Sequence, residues 1–328
     1  MSNLFSGINA RLRGTSSKTG APVNKSPTAS TNEVPPVWHE SQSRSQTPVP
    51  RVSLPESPSL TESMGMASPL TLDYPRPLPM WLNTAYAKHI VKGNFMTLSA
   101  RPKVVEQGEW IAHQAVEHYR NLWNFVRIVH EKEDDGTSIC NPTTCPKMSA
   151  GKNHSYTWLN KSQQPVELPA HEYMMLMQRW ISGKIDDPAM FPTDPAGVSY
   201  AIQPTGSNEV PQIDGEAWLG ARSGFPNQFG GTCQLIFRQI FRVYAHLYWA
   251  HFINPFYHLG LEKQLNSCFS HFILTATTLG MLQPEELEPM QYLIDLWAAD
   301  GTFPPESRAY SCANLERGRY ILSLGGAK

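Results

Sequence analysis

The chain has 328 residues, with 27 lysines and arginines against 28 aspartates and glutamates, so its formal net charge is −1. A charge this close to zero provides no field that would draw the protein to nucleic acid or to an anionic membrane. The sequence also lacks a run of 18 apolar residues and an apolar signal segment near Met1, so we expect an intracellular protein without a membrane span.

The first 75 residues are dominated by Ser, Thr, Pro, Asn and Gly. Such a segment cannot bury enough apolar surface to offset the entropy lost on ordering its backbone, so residues 1–75 are predicted to form a disordered arm. Four Ser/Thr-Pro steps within it suit either proline-directed phosphorylation or ordinary linker composition.

Residues 76–300 show apolar positions recurring three and four apart, which predicts an all-α domain packed as a helical bundle. The predicted helices are Met80–Val91, Glu109–Lys132, Leu168–Ser182, 235–251, Leu261–Leu279 and Pro284–Ala298. Residues 194–226 are rich in Gly, Pro, Asn and Ser and are predicted to be a surface insertion. The tail, residues 301–328, has no assignment.

Two cysteines and two histidines have the spacings of metal ligands, Cys140-x4-Cys145 and His246-x4-His251. Two thiolates and two imidazoles fill a tetrahedral shell for zinc, and a closed shell of this kind is structural. Residues five apart on an ideal α-helix are separated by about 140° around its axis. Both histidines can therefore face one ion only if the helix loosens or ends between them.

Two alternatives to a structural zinc site are open at this point. The histidines and cysteines could be unrelated core residues, or one of the four predicted ligands could be absent and water could take its place, as in a zinc hydrolase. Sequence signatures of catalysis, including H-E-x-x-H, a P-loop and G-x-S-x-G, are missing. Nucleic-acid binding through the zinc module is disfavoured by the near-neutral charge.

Several motifs together resemble the Mob/phocein family of kinase coactivators over about residues 78–298. They are Cys140, the CPKMSAG run from Cys145, Tyr156-x-Trp158, Phe191-Pro, FRVYAHLYWAHF at 241–252 and LNSCFSHFIL from Leu265. VKGNF at 91–95 and GEWIA at 108–112 are similar to the fungal branch that pairs with NDR-type kinases in cell polarity and morphogenesis.

The resemblance implies a helical bundle with one structural zinc and no catalytic activity of its own. It also implies a role as a regulatory subunit that binds the basic N-terminal regulatory region of an NDR/LATS-type kinase and promotes its activation. The implied location is the cytoplasm, with the nucleus and sites of polarised growth as further places.

The kinase-binding residues carried over by the resemblance are Glu109, Trp110, His113 and Glu117. Acidic groups near a helix N-terminus are favoured by its dipole, and they complement a basic partner. The alternative is a solvated helix start.

Some family members also bind phosphopeptides through a basic cluster, whose positions here are Arg238, Gln239 and Arg242. Two arginines can still hold a phosphate, which makes a phosphopeptide-binding adaptor an alternative function. The other interpretation is an exposed arginine pair that only solubilises its helix.

Overall fold

The computed structural model describes residues 77–90, 95–132, 134, 136–193 and 218–326. The predicted arm at 1–75 and residues 194–217 of the predicted insertion lie outside this part of the chain. The described residues are mostly helical, which confirms the all-α prediction. The α-helices are α1 (Met96–Ser99), α2 (Gln107–His130), α3 (Ala170–Ile185), α4 (Phe229–His246), α5 (Glu262–Thr278), α6 (Gln291–Ala299), α7 (Arg308–Ser311) and α8 (Leu315–Gly326).

Helix α2 begins two residues earlier than its apolar pattern predicts, because Glu106 caps it. The Glu106 carboxylate accepts hydrogen bonds from the backbone amides of Gly108 (2.6 Å) and Glu109 (3.3 Å), two donors that the first turn leaves without partners. The predicted apolar stripe faces the core, with Tyr119 half-buried at its edge and the other members fully buried: Ile111, Ala115, Leu122, Val126 and Val129.

Helices α4 and α5 supply the centre of the core, mostly through aromatic rings. Phe237 of α4 stacks on Phe272 of α5 with ring centroids 5.6 Å apart, and Tyr244, two turns further along α4, lies 5.1 Å from Phe269. All four side chains are buried. The bundle therefore packs around the α4–α5 pair, and α2 contacts both of these helices.

The predicted helix at Met80–Val91 is wrong. Only Met80–Leu82 forms a single 3₁₀ turn, and the chain beyond it is irregular to residue 90. The carbonyl oxygens of Tyr86 and Lys88 each accept a hydrogen bond from the Asn266 side chain at 2.8 Å. Because these carbonyls have tertiary partners, the backbone is satisfied without a helix.

The predicted helix at Pro284–Ala298 consists of two pieces, a 3₁₀ segment at Pro284–Met290 and then α6. Pro289 has no amide hydrogen, and it lies near the point where the two pieces join.

Four short strands occupy the turn-rich segment between α2 and α3. Strands β1 (Ser149–Ala150) and β2 (His154–Ser155) pair antiparallel, as do β3 (Thr157–Leu159) and β4 (Pro165–Glu167).

The tail that the sequence left unassigned is largely helical. Helix α8 packs against α6, and the buried carboxylate of Asp295 on α6 forms an ion pair with the Nε of Arg317 on α8. In the part of the chain described here, no helix combines the length and the apolar character needed to cross a bilayer.

Candidate metal centre and binding face

The two cysteines are brought together by a tight turn directly after α2. The Cys140 amide donates to the Val129 carbonyl (2.9 Å), which fastens the turn to the last part of the helix. Asn141 shapes the turn, since its side-chain oxygen accepts from the amide of Thr143 and its carbonyl accepts from the amide of Cys145. Both cysteine side chains are buried.

The two histidines lie on either side of a change in helix type. Helix α4 ends at His246, and a π-helical segment, Leu247–Tyr257, follows directly and is interrupted by a kink at Asn254. A π-helix bonds each residue to the one five positions away, so residues five apart come to lie on the same side. The loosened helix that the spacing required is present between His246 and His251, and their rings are 5.2 Å apart.

All four predicted ligands converge on one buried point. Their donor atoms lie within 4.8 Å of one another, with the Cys140 sulfur 3.8 Å from the His246 Nε2 and the Cys145 sulfur 3.5 Å from the His251 Nε2. A tetrahedral ion with ordinary sulfur and nitrogen bond lengths would separate such atoms by about 3.6 Å. The group fits a tetrahedral metal ion.

A neighbouring backbone carbonyl fixes the ring orientation and the tautomer of His246. Its Nδ1 lies 2.8 Å from the Ser149 carbonyl oxygen, which can only accept a hydrogen bond. The proton of the neutral ring therefore sits on Nδ1, and the lone pair of Nε2 points towards the other three donors.

The electrostatics of the cysteine pair also suit a cation. A hydrogen bond from Cys140 lowers the pKa of the Cys145 thiol far below its usual value, and His246 and His251 lower it further. The same hydrogen bond and burial raise the pKa of the Cys140 thiol, so the pair favours a single proton shared between its two sulfurs. Because four protein donors converge, no position is left for water, and the alternative of a hydrolase with an open metal position is not supported.

The residues predicted to bind a kinase lie together in the first three turns of α2. Glu109, His113 and Glu117 are spaced four apart and share one face, and Trp110 lies beside His113 with ring centroids 5.4 Å apart. His113 is exposed, and the other three side chains are half-buried. The face combines two carboxylates with an indole that is partly open to solvent.

Two serines that the sequence did not single out hold this face in place. The Ser223 hydroxyl donates to the Glu109 carboxylate at 2.9 Å, and the Ser99 carbonyl accepts from the Trp110 indole at 3.2 Å. Ser223 is distant in sequence from α2 and Ser99 lies eight residues before it, and neither stands in a recognisable motif. The helix start is thus braced and not merely solvated.

The two arginines of the predicted phosphopeptide site do not form an exposed pair. Arg238 is ion-paired through its Nε with Glu286, and Arg242 is buried with its guanidinium 4.7 Å from the ring centre of Tyr156. The interpretation of the pair as a solubilising surface feature is therefore wrong for Arg242. The geometry gives no support to a phosphopeptide-binding adaptor, since one arginine already has an acidic partner.

Comparison with known proteins confirms the predicted resemblance. The family model described as Mob1/phocein family matches residues 87–208 and 211–290. A protein of Candida albicans named CBK1 kinase activator protein MOB2 is 29% identical over 301 residues, which cover 90% of this chain and 82% of the relative.

Two further yeast proteins are similar over about two thirds of the chain. The maintenance of ploidy protein mob2 of Schizosaccharomyces pombe is 32% identical over 219 residues, or 66% of this chain and 76% of the relative. The CBK1 kinase activator protein MOB2 of Saccharomyces cerevisiae is 34% identical over 212 residues, or 65% of this chain and 62% of the relative.

Proposed function

The chain belongs to the Mob1/phocein family, and we propose that it is a non-catalytic regulatory subunit that binds and activates an NDR/LATS-type protein kinase. Two of its yeast relatives are named as activators of a kinase, CBK1. The chain is accordingly a regulator and not an enzyme. The pathway we propose for it is cell polarity and morphogenesis, in the cytoplasm, the nucleus and at sites of polarised growth.

The observation that carries this function is the braced face at the start of α2, formed by Glu109, Trp110, His113 and Glu117. Two carboxylates complement a basic partner segment, and a partly exposed indole supplies the kind of large anchor that dominates binding energies. Docking on the regulatory segment of a kinase would order that segment and shift the kinase towards its active arrangement.

We further propose that the buried cluster of Cys140, Cys145, His246 and His251 holds one zinc ion. Two thiolates and two imidazoles select zinc over magnesium or calcium, which prefer oxygen ligands. The ion would join the turn after α2 to the end of α4, and its binding free energy would become folding free energy. Its role would be to stabilise the helical scaffold that carries the binding face.

The binding face is tested by measuring the affinity of the purified protein for the N-terminal segment of an NDR-type kinase. Trp110→Ala is expected to weaken binding by about 30-fold or more, as truncation of an aromatic anchor does. Glu117→Lys should also weaken binding, and more so at low salt than at high salt, because it reverses the charge that the basic segment meets. Glu172→Lys on α3 makes the same charge change at an exposed residue outside the face and should bind like the wild type.

The outcome that contradicts the proposal is a wild-type protein that neither binds such a segment nor raises the activity of the kinase. Elemental analysis completes the test, with one zinc per chain expected in the wild type. Cys140→Ser should lose the metal, the fold and the binding together. A well-folded wild-type protein without metal would refute the zinc proposal and leave the binding face to be judged on affinity alone.

A further inference from the structure

Helix α5 carries a strip of polar side chains that the binding and metal sites do not use. Asn266 and Thr275 are fully buried, and Ser267 and His271 are less than a tenth exposed. Buried polar groups are retained where they have partners. Several partners of this strip lie in two nearby pieces of chain, residues 86–90 and 95–99, which together we call the register segment.

At one end, the strip binds the backbone of the register segment. The Asn266 amide donates to the carbonyls of Tyr86 and Lys88, both at 2.8 Å, while its oxygen accepts from the Tyr248 hydroxyl at 2.7 Å. The Ser267 hydroxyl accepts from the amide of Ile90 at 3.0 Å. These bonds involve main-chain atoms, so they fix the position of the segment along α5.

At the other end, the strip binds side chains. The ring of His271 stacks on Phe95 with centroids 5.4 Å apart, and the hydroxyls of Thr275 and Ser99 are 3.0 Å apart. Ser99 already donates its hydroxyl proton to the Phe95 carbonyl. Thr275 must therefore be the donor between the two hydroxyls.

The far side of the register segment holds the binding face. The Ser99 carbonyl accepts from the Trp110 indole at 3.2 Å, and the Leu98 carbonyl accepts from the buried amide of Gln114 at 3.3 Å. The segment thus bonds to both α5 and α2. A shift of the segment along α5 would move the carbonyl that orients the indole.

We propose that the polar strip of α5 positions the binding face, by holding the register segment where the Ser99 carbonyl fixes Trp110. Thr275, which contacts Ser99 directly, is the positioning residue in this account and touches no kinase itself, while Asn266 and Ser267 hold residues 86–90 on α5. The inference rests on the proposed function, since the partner is the kinase segment. It adds that affinity depends on buried groups of α5 that contact the register segment and lie outside the binding face.

The test compares two threonines of α5 that differ only in what they contact. Thr275→Val removes the hydroxyl that reaches Ser99, whereas Thr277→Val removes an equally buried hydroxyl that donates to the carbonyl of Ile273 within the helix. Thr275→Ser keeps the hydroxyl. Thr275→Val should weaken binding of the kinase segment by about fivefold, the effect of one hydrogen bond, and Thr275→Ser and Thr277→Val should bind like the wild type.

Hydrogen exchange provides a readout that does not depend on the kinase. The amide of Ser99 should exchange faster in Thr275→Val than in Thr277→Val, and the amide of Ile90 should exchange faster in Ser267→Ala, which removes its acceptor. Exchange within α4 should stay unchanged in all of these variants.

The proposal is overturned if Thr277→Val weakens binding as much as Thr275→Val, because the effect would then be one of general stability. It is also overturned if Thr275→Val binds like the wild type, or if the Ser99 amide exchanges equally in both valine variants. A wild-type protein that fails to bind the kinase segment would refute the proposed function instead, and the exchange comparison would still decide whether the strip holds the segment.

Discussion

Replacing Gly318 with alanine should destabilise the protein, because α8 meets α6 there with no room for a side chain. A Cβ at residue 318 would lie 2.1 Å from the carbonyl oxygen of Asp295 and 2.7 Å from its carbonyl carbon. These are backbone atoms of a helix, so they cannot rotate away. The two helices would have to separate by about 1 Å in a close-packed region.

The loss of unfolding free energy has two sources, the strained packing between α6 and α8 and the weakened pairing of Asp295. Overpacking of a core costs about 1–3 kcal/mol. The buried Asp295 carboxylate, which accepts from the Nε of Arg317 and from the amide of Asn314 at 2.8 Å, would also lose part of its pairing. Complete loss of a buried partner costs about 3–5 kcal/mol, so a partial loss adds about 2 kcal/mol. Alanine favours a helix over glycine by about 1 kcal/mol, which leaves a net loss of about 3 kcal/mol for Gly318→Ala.

The assay is urea unfolding of full-length wild type, Gly318→Ala and the control Gly183→Ala. A Cβ at Gly183 of α3 meets nothing within 4 Å, so this control should gain about 0.5–1 kcal/mol from helix propensity alone. The reasoning is refuted if Gly318→Ala is as stable as the wild type. Such a result would mean that α8 does not pack on α6 at this distance.

Three further predictions concern acid, metal and surface charge. Burial lowers the pKa of His271 to about 4 and that of His118 well below its usual value, so both are neutral when folded and bind protons on unfolding. The free energy of unfolding is therefore highest above the unfolded pKa of about 6.5 and falls as the pH drops, by about 2 kcal/mol between pH 7 and pH 5 for His271 alone. The urea midpoint of His271→Asn should depend less on pH than that of the wild type. A chelator should lower the melting temperature of the wild type, and Cys145→Ser, which has no complete ligand set, should show no cooperative melting with or without the chelator. Arg238→Gln removes a half-exposed ion pair with Glu286 and should cost about 0.5 kcal/mol without changing affinity for the kinase segment; a large loss of affinity would place Arg238 in the binding site.

The sequence predicted the long helices well because their burial is periodic and local. In α2 the apolar positions of the pattern are the buried ones, from Ile111 to Val129. The four metal donors could be predicted for a different reason. A pair of cysteines combined with a pair of histidines is typical of a metal site. The residue types alone therefore indicated metal binding, although about a hundred residues separate the two pairs.

What the sequence could not predict depends on tertiary partners. Residues 80–90 have helical spacing, yet the Asn266 side chain donates hydrogen bonds to the carbonyls of Tyr86 and Lys88, and the chain after Leu82 stays irregular. The π-helical segment after His246 was inferable only as a geometric need, since nothing in Leu247–Tyr257 before Pro255 marks it. The bracing of the binding face by Ser99 and Ser223 was likewise invisible, because serine has no pattern that reveals a distant partner.

Helix α2 connects the two sites of the protein, and its geometry determines how metal loss should affect binding. Trp110 lies near the start of α2. Val129, whose carbonyl accepts a hydrogen bond from the amide of Cys140, lies near its end. At 1.5 Å per residue these positions are about 28 Å apart. None of the four metal-ligating residues belongs to the binding face, so metal removal can weaken kinase binding only by destabilising the helical scaffold. Affinity should therefore fall in proportion to the unfolded fraction as chelator is added, and a loss of binding that precedes unfolding would show a direct path between the sites.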